Sequence, residues 1–167
     1  MTENNTLEDP KEVKIMFFIA EKDPGIIPHV LSQILDSSVN GLTLADPDLP
    51  DMPIVFANKA FETISGYSRE EVIGRNCRFL QGIDRDQEAR TMLRTAINGC
   101  QPVEVTLRNY RKNGELFYNH LAITPLFDEA GNVIYYLGVQ YDVTDQVNAE
   151  QEIDRLSKEL ESVTRLT

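Results

Sequence analysis

Three β-rich segments separated by two short turn sequences constrain the fold of this chain most. The segments are PVEVTLRNY (102–110), ELFYNHLAITPLF (115–127) and VIYYLGVQYDVT (133–144), and RKNG and DEAGN lie between them. Strand-like runs joined by short glycine-containing turns are typical of antiparallel hairpins. The sequence therefore predicts that these three segments form neighbouring antiparallel strands.

Two further strands and several short helices precede this region. The strands are GLTLAD (41–46) and IVFAN (54–58). The first helix is KAFETISGY (59–67), ending at Gly66, and the second is SREEVIG (68–74), with a capping box from Ser68 to Glu71. The third and longer helix is DRDQEARTMLRTAING (84–99), with aspartates in its first turn and Gly99 at its end. The order predicts an α+β fold, a five-stranded antiparallel sheet with helices on one face.

Both ends of the chain differ from this central region. Residues 1–12 are polar and acidic, VKIMFFIA (13–20) suits either a strand or a helix turn, and residues 27–38 have the spacing of an amphipathic helix. The tail carries a heptad seam of apolar residues: Ala149, Ile153, Leu156, Leu160 and Val163. This seam suits either a helix that folds back on its own domain, or a coiled-coil dimer or a linker to an effector. The narrow width of the apolar seam favours the dimer or the linker. We expect an extension (1–40), a core (41–144) and a heptad helix (145–167).

Charge and cysteine content limit the possible partners and the compartment. The formal net charge is −11, which argues against nucleic acid and anionic membranes as partners. No apolar run reaches the length of a membrane span. The two cysteines provide no disulfide framework, which fits a reducing cytoplasm.

The segment GRNCRFLQG (74–82) places one thiol, Cys77, among polar and apolar residues. A lone cysteine is usually a small buried hydrophobic residue. A nucleophilic thiol needs an activating base, and neither histidine, His29 or His120, lies in a cysteine-hydrolase signature. Metal-ligand spacing is lacking too, so no metal site is expected. Conventional thiol catalysis is therefore weakly supported.

Clustered arginines and strand amides accompany this cysteine. Four arginines follow it closely: Arg78, Arg85, Arg90 and Arg94. Guanidinium groups bind phosphate in a bidentate manner, although surface ion pairs with nearby acidic residues are an alternative. Three amides fall at strand positions: Asn109, Asn119 and Gln140. If they point inward together they suit a flat ring with alternating donors and acceptors; each one alone also suits an edge or a turn.

Taken together, GRNCRFLQG, NYRKNG, FYN and GVQYDVT resemble the light-oxygen-voltage (LOV) domains, the blue-light-sensing branch of the PAS superfamily. The resemblance runs from about Gly41 to Thr144, and the flanks are similar to those of bacterial short LOV photoreceptors. It implies a PAS fold that holds one flavin mononucleotide (FMN) noncovalently. It also implies that Cys77 adds to flavin carbon C(4a) after blue light, with the adduct breaking in the dark.

The resemblance also implies roles for individual residues. Asn76 and Gln81 match amides near the ring, Asn109 and Asn119 the pair at the pyrimidine edge, and Gln140 the glutamine that senses the protonated ring nitrogen. The arginines match phosphate ligands: Arg78 and Arg94 the common pair, and Arg85 and Arg90 additional ones. The apolar ring walls are matched by Leu80, Leu93, Ile97, Leu107 and Leu121. The sequence departs from common LOV patterns at Ala45, Met52, Tyr118 and Tyr136, which bears on adduct lifetime.

A signal route and three rival functions follow from the resemblance. Gln140 would re-pair its amide and pass the change along the last strand to the terminal helices, through which a homodimer is expected. The protein would be a photoreceptor and not an enzyme, since no kinase or cyclase motif is present. The rivals are a flavin redox sensor of the same fold, a partner-binding PAS module, and the sensor part of a larger LOV histidine kinase or similar receptor.

Overall fold

The computed structural model describes residues 26–164. Helix α1 (Ile26–Asp36) belongs to one compact unit, and the elements from residue 38 onward form a second. The predicted amphipathic helix is confirmed, with Pro28 in its first turn, where a missing N–H costs little. The predictions for residues 1–12 and 13–20 lie outside the described residues.

The second unit contains a five-stranded antiparallel sheet, as the sequence predicts. Its strands are β1 (Gly41–Ala45), β2 (Ile54–Ala57), β3 (Val103–Tyr110), β4 (Leu116–Phe127) and β5 (Val133–Asp142). They lie in the order β2-β1-β5-β4-β3, so that β5 is the central strand and pairs with β1 on one side and β4 on the other. This order brings Gln140 of β5 beside Gly41 on one side and Leu121 on the other.

Capping interactions define the two short helices after β2. Helix α2 (Lys59–Ser65) begins after Asn58, whose Oδ1 accepts the Phe61 N–H at 3.0 Å, and ends at Gly66 with a φ of 76°. Helix α3 (Arg69–Val72) begins where the Glu71 carboxylate accepts the Ser68 N–H at 2.9 Å. Both boundaries agree with the predicted ends, because caps are encoded by neighbouring residues.

The longer helix begins later than the sequence predicts. Helix α4 spans Glu88–Asn98, so the aspartates at 84 and 86 lie before it and not in its first turn. Asp84 is held instead by Arg108 of β3, with Nε···Oδ2 and Nη2···Oδ1 distances of 2.6 and 2.8 Å. A long-range ion pair has thus overridden a local helix preference.

Buried residues form two clusters on the inner face of the sheet. One joins β2 to the helices that follow it: Ile54, Ala57, Phe61, Val72 and Leu80. The other joins α4 to β3 and β4: Leu93, Val105, Leu107 and Leu121. The 3₁₀ helix formed by Cys77–Gln81 carries residues that pack on the first cluster.

The final helix, α5 (Thr144–Thr164), leaves the sheet directly after β5. Its start is held by Asp142, whose Oδ1 accepts the Thr144 N–H at 3.0 Å. Four residues of the predicted heptad seam are exposed: Ala149, Ile153 at 63%, Leu156 at 50% and Leu160 at 69%. The side chain of Val163 lies outside those described. Between residues 26 and 164, no helix is long and apolar enough to cross a bilayer.

Candidate functional site

A cavity of about 490 Å³ lies between the inner face of the sheet and the helical segments. Small-molecule sites commonly have volumes of about 300–1,000 Å³. Most residues predicted for a site line this cavity: Asn76, Cys77, Arg78, Gln81, Arg90, Leu93, Arg94, Ile97, Leu107, Asn109, Asn119 and Leu121. Positions separated by up to 45 residues in the sequence are thus brought together around one space.

Three predicted site residues do not line the cavity. Leu80 is 1% exposed and packs into the first core cluster, behind the cysteine segment. The Arg85 guanidinium turns back, with Nε donating to the Gly82 carbonyl oxygen at 3.3 Å. Gln140 is fully buried directly behind the wall, where it contacts residues that do line it.

Cys77 is half-buried as a residue, packs against the first core cluster and lines the cavity. Desolvation raises the pKa of Cys77 to about 11, an effect that hydrogen bonding from Gln140 Nε2, 4.0 Å from Sγ, partly offsets. The thiol is therefore protonated at neutral pH and is a weak nucleophile in the dark.

Acid–base and metal partners for the thiol are lacking in the described part of the chain. His120 follows Asn119 in β4 and bonds Thr106 at 3.2 Å, and alternation in a strand turns it to the opposite face of the sheet. No group of three or more His, Cys, Asp or Glu side chains between residues 26 and 164 is arranged to hold a metal ion.

Three neighbouring strands, β3, β4 and β5, each contribute one buried side-chain amide to a hydrogen-bonded chain. Asn119 Nδ2 donates to Asn109 Oδ1 and to Gln140 Oε1, each at 3.0 Å. All three residues are at most 2% exposed. Asn119 Oδ1 is buried and has no hydrogen-bond partner within residues 26–164. A buried acceptor without a partner costs about 1–3 kcal/mol, so this oxygen suits an N–H donor of a ligand.

Three guanidinium groups line the cavity in an otherwise acidic protein: Arg78, Arg90 and Arg94. Arg78 forms an ion pair with Asp51, and Arg90 donates to the backbone oxygen of Arg85. Arg90 and Arg94 share one face of α4 because they are four residues apart. The arrangement suits an anionic group, which arginine binds in a bidentate manner.

The loop before β2 contributes cavity residues that are not among the predicted ligand-binding residues, although Met52 is one of the positions at which the sequence departs from the LOV pattern. Asp51 and Met52 line the cavity and have φ angles of 70° and 46°, in the left-handed region. Asn76 holds this loop, since its Nδ2 donates to the backbone oxygens of Asp51 at 2.7 Å and Met52 at 3.3 Å. The Asn76 amide thus braces the cavity, with its Oδ1 accepting the Arg78 N–H at 3.0 Å.

Strand alternation could have revealed several further lining residues. Ile123 continues the inward series of Asn119 and Leu121 on β4, and Tyr136 and Gly138 precede Gln140 on β5 at the same spacing. Tyr136 donates to the Ile97 carbonyl oxygen at 2.8 Å, and desolvation raises its pKa to about 12. Its hydroxyl therefore ties α4 to the sheet.

Comparison with known proteins agrees with the PAS fold that the sequence predicts. Residues 39–145, more than half of the chain, match the PAS domain family. The blue-light photoreceptor of Listeria innocua is 42% identical over 135 residues, covering 81% of this chain and 53% of that protein. This chain therefore spans about half the length of that relative.

Two solved structures resemble this protein closely. An RNA-binding light-oxygen-voltage receptor has a TM-score of 0.74 and 37% identity, over 83% of this chain and 39% of that one. A light-oxygen-voltage domain studied with a flavin analogue has a TM-score of 0.66 and 40% identity, over 78% of this chain and 96% of that one. From its sequence and its fold, the chain belongs to the PAS domain family, in the light-oxygen-voltage branch.

Proposed function

We propose that this protein is a blue-light photoreceptor that binds FMN in the cavity and forms a reversible thiol adduct through Cys77 at flavin carbon C(4a). The observation that carries the proposal is the position of a protonated thiol on the wall of a cavity that also presents buried strand amides and arginines. An ordinary enzyme thiol would need a base beside it.

The residues present fit FMN. Asn119 Oδ1 has no hydrogen-bond partner within residues 26–164 and could accept the N–H at the pyrimidine edge of a flavin. Asn109 bonds Asn119 and lies beside this oxygen. Arg78, Arg90 and Arg94 provide cations for a phosphate. The apolar residues Leu93, Leu107 and Leu121 offer flat-ring contacts. Arg85 and Leu80 would then act indirectly. The Arg85 backbone oxygen accepts a hydrogen bond from the Arg90 guanidinium, and Leu80 packs in the core cluster that supports the cysteine segment.

Flavin supplies the light absorption and an excited ring that is reactive toward a thiol. With flavin bound, Cys77 would supply both the sulfur for an S–C bond and the proton for the adjacent ring nitrogen. Because the thiol carries its proton at neutral pH, no general base would be required. In the dark, Cys77 would regain its proton as that bond breaks.

We place the first step of signalling at Gln140. Its Oε1 accepts a hydrogen bond from Asn119 Nδ2, and its Nε2 lies 4.0 Å from the Cys77 sulfur. Gln140 therefore contacts both the strand amides and the thiol of the proposed site. It lies two residues before Asp142, which holds the start of α5. A change in its pairing can therefore bias α5, and the exposed seam residues of that helix support a homodimer.

An absorption spectrum before and after blue light tests the proposal. We expect a three-peaked flavin band that bleaches and returns in the dark, and a Cys77→Ala variant that keeps the flavin band without bleaching. A protein that cannot be loaded with flavin would contradict FMN binding and favour a partner-binding PAS module. Bleaching that persists in Cys77→Ala would contradict the adduct and favour a flavin redox sensor.

A second candidate is the sensor part of a larger receptor, such as a histidine kinase. It is favoured by the match to only 53% of the Listeria photoreceptor and 39% of the RNA-binding receptor. In either case we assign residues 41–144 to light sensing, residues 1–40 and 145–167 to signal output, and the protein to the cytoplasm. The first candidate is a non-enzymatic sensor, whereas in the second the kinase activity would belong to a part outside residues 1–167. The coding sequence beyond residue 167 distinguishes the two candidates.

A further inference from the structure

Gln87, immediately before α4, pairs its side chain with the backbone of the edge strand β3. Its Oε1 accepts the Arg108 N–H at 2.7 Å, and its Nε2 donates to the Arg108 carbonyl oxygen at 3.0 Å. Nε2 also donates to the Asp84 carbonyl oxygen at 2.8 Å. One carboxamide thus satisfies both backbone groups of an edge residue, as a neighbouring strand would.

The Arg108 carbonyl oxygen links Gln87 to the cavity. It accepts a second hydrogen bond from Asn109 Nδ2, at 2.9 Å. A carbonyl oxygen has two lone pairs, so the two carboxamides occupy both. With its nitrogen directed to Arg108, Asn109 presents its Oδ1 to Asn119 Nδ2, and this pairing leaves Asn119 Oδ1 as the acceptor without a partner.

Gln87 also begins the segment that carries the arginines. Its backbone oxygen accepts the Arg90 N–H at 3.1 Å, and Arg94 lies one turn further along α4. The Gln87 side chain therefore bonds the Arg108 backbone, whose carbonyl oxygen also binds Asn109, while the Gln87 backbone bonds the first turn of α4.

We propose that Gln87 is a positioning residue for the cavity. Through the Arg108 carbonyl it determines which way the Asn109 carboxamide faces, and it aligns the arginines of α4 with β3. The inference rests on the proposed function in one respect, that FMN is the ligand which this arrangement receives. Gln87 does not line the cavity and acts only through Arg108, Asn109 and α4.

The test uses Gln87→Leu, which removes three hydrogen bonds at similar side-chain volume. Gln101→Leu is the matched control, because its side-chain amide lies after the other end of α4 and, within residues 26–164, donates only to the Gly99 carbonyl oxygen, at 3.3 Å. Asp84→Asn weakens the ion pair with Arg108 and leaves the Gln87 carboxamide in place. If Gln87→Leu does not fold, Gln87→Glu replaces it, since it keeps the acceptor and loses the donor.

Two measurements separate positioning from a structural role. The first is the ¹⁵N–¹H spectrum of the Asn109 and Asn119 carboxamides in the protein without added ligand, and the second is FMN affinity by fluorescence titration. We expect Gln87→Leu to shift both carboxamide signals and to weaken FMN binding by about tenfold, as expected for one hydrogen bond. We expect Asp84→Asn to lower the unfolding midpoint without shifting these signals, and Gln101→Leu to change neither.

The outcomes distinguish this inference from the proposed function. Unshifted carboxamide signals in Gln87→Leu, with FMN affinity within about twofold of wild type, would overturn the positioning role while leaving FMN binding intact. Shifted signals in Asp84→Asn would also overturn it, since loop attachment alone would then explain the effect. If wild type takes up no FMN, the proposed function fails, and the carboxamide spectra still decide the orientation of Asn109.

Discussion

The pH dependence of stability tests the burial of Cys77, on which the proposed light reaction depends. Desolvation raises the pKa of this thiol from 9.0 to about 11 in the folded protein. The unfolded chain therefore loses the proton first as pH rises, and between these values the native state binds more protons. Stability from this source is fully present below pH 9 and is lost as pH rises toward 11.

The magnitude follows from the shift. One pKa unit corresponds to about 1.36 kcal/mol, so a shift of about two units limits the loss to about 3 kcal/mol. At about pH 10.5, where the unfolded thiol is ionised and the native thiol is mostly protonated, we expect a loss of about 2 kcal/mol relative to about pH 8.

Urea unfolding of wild type and Cys77→Ala measures this loss. The free energy of unfolding is determined for both proteins at several pH values from about 8 to 10.5, and the difference between them is plotted against pH. Tyr136, whose pKa is raised to about 12, contributes to both proteins and cancels in that difference. A difference that stays constant with pH would refute the desolvation of the Cys77 thiol.

Four other substitutions test the remaining parts of the proposal. Gln140→Leu should still bleach under blue light, but X-ray scattering should no longer change on illumination; a change as large as in wild type would exclude the relay through Gln140. Arg94→Ala should weaken FMN binding by about 10- to 100-fold, the loss of a charge-assisted hydrogen bond, and leave riboflavin binding unaffected in equilibrium dialysis. Equal losses for both flavins would show that Arg94 does not bind the phosphate. Asp51→Asn should tighten FMN binding by up to about fivefold, because the half-exposed ion pair competes weakly for Arg78, and weaker binding would refute that competition. Leu156→Glu should reduce self-association in analytical ultracentrifugation, and an unchanged sedimentation profile would exclude the heptad seam as the interface.

The sheet and its short helices could be predicted because neighbouring residues encode them. Glycines with positive φ form the hairpin turns, 87° at Gly114 and 85° at Gly131. Asn58 and Gly66 cap the two ends of α2. These signals act over three or four residues, a range within which sequence patterns are reliable. The start of α4 was wrong for the opposite reason, since Arg108, 24 residues away, holds Asp84 outside the helix.

The candidate site shows the same division. Alternation along β3 and β4 turns Asn109 and Asn119 inward together, and the spacing of Arg90 and Arg94 places both on one face of α4. Alternation does not reveal that Arg78 pairs with Asp51, or that Asn76 braces the loop at Asp51. Those contacts depend on how a loop before β2 packs against a segment more than 20 residues later.

By itself, the sequence determined the strands, most helix boundaries and the residue types available for a site, because each depends on local backbone and capping preferences. Only the tertiary structure decided the surroundings of Cys77. Its raised pKa results from burial against distant elements, and its contact with Gln140 from a strand 63 residues further along the chain. Desolvation and long-range hydrogen bonds depend on three-dimensional packing, which no short stretch of sequence contains.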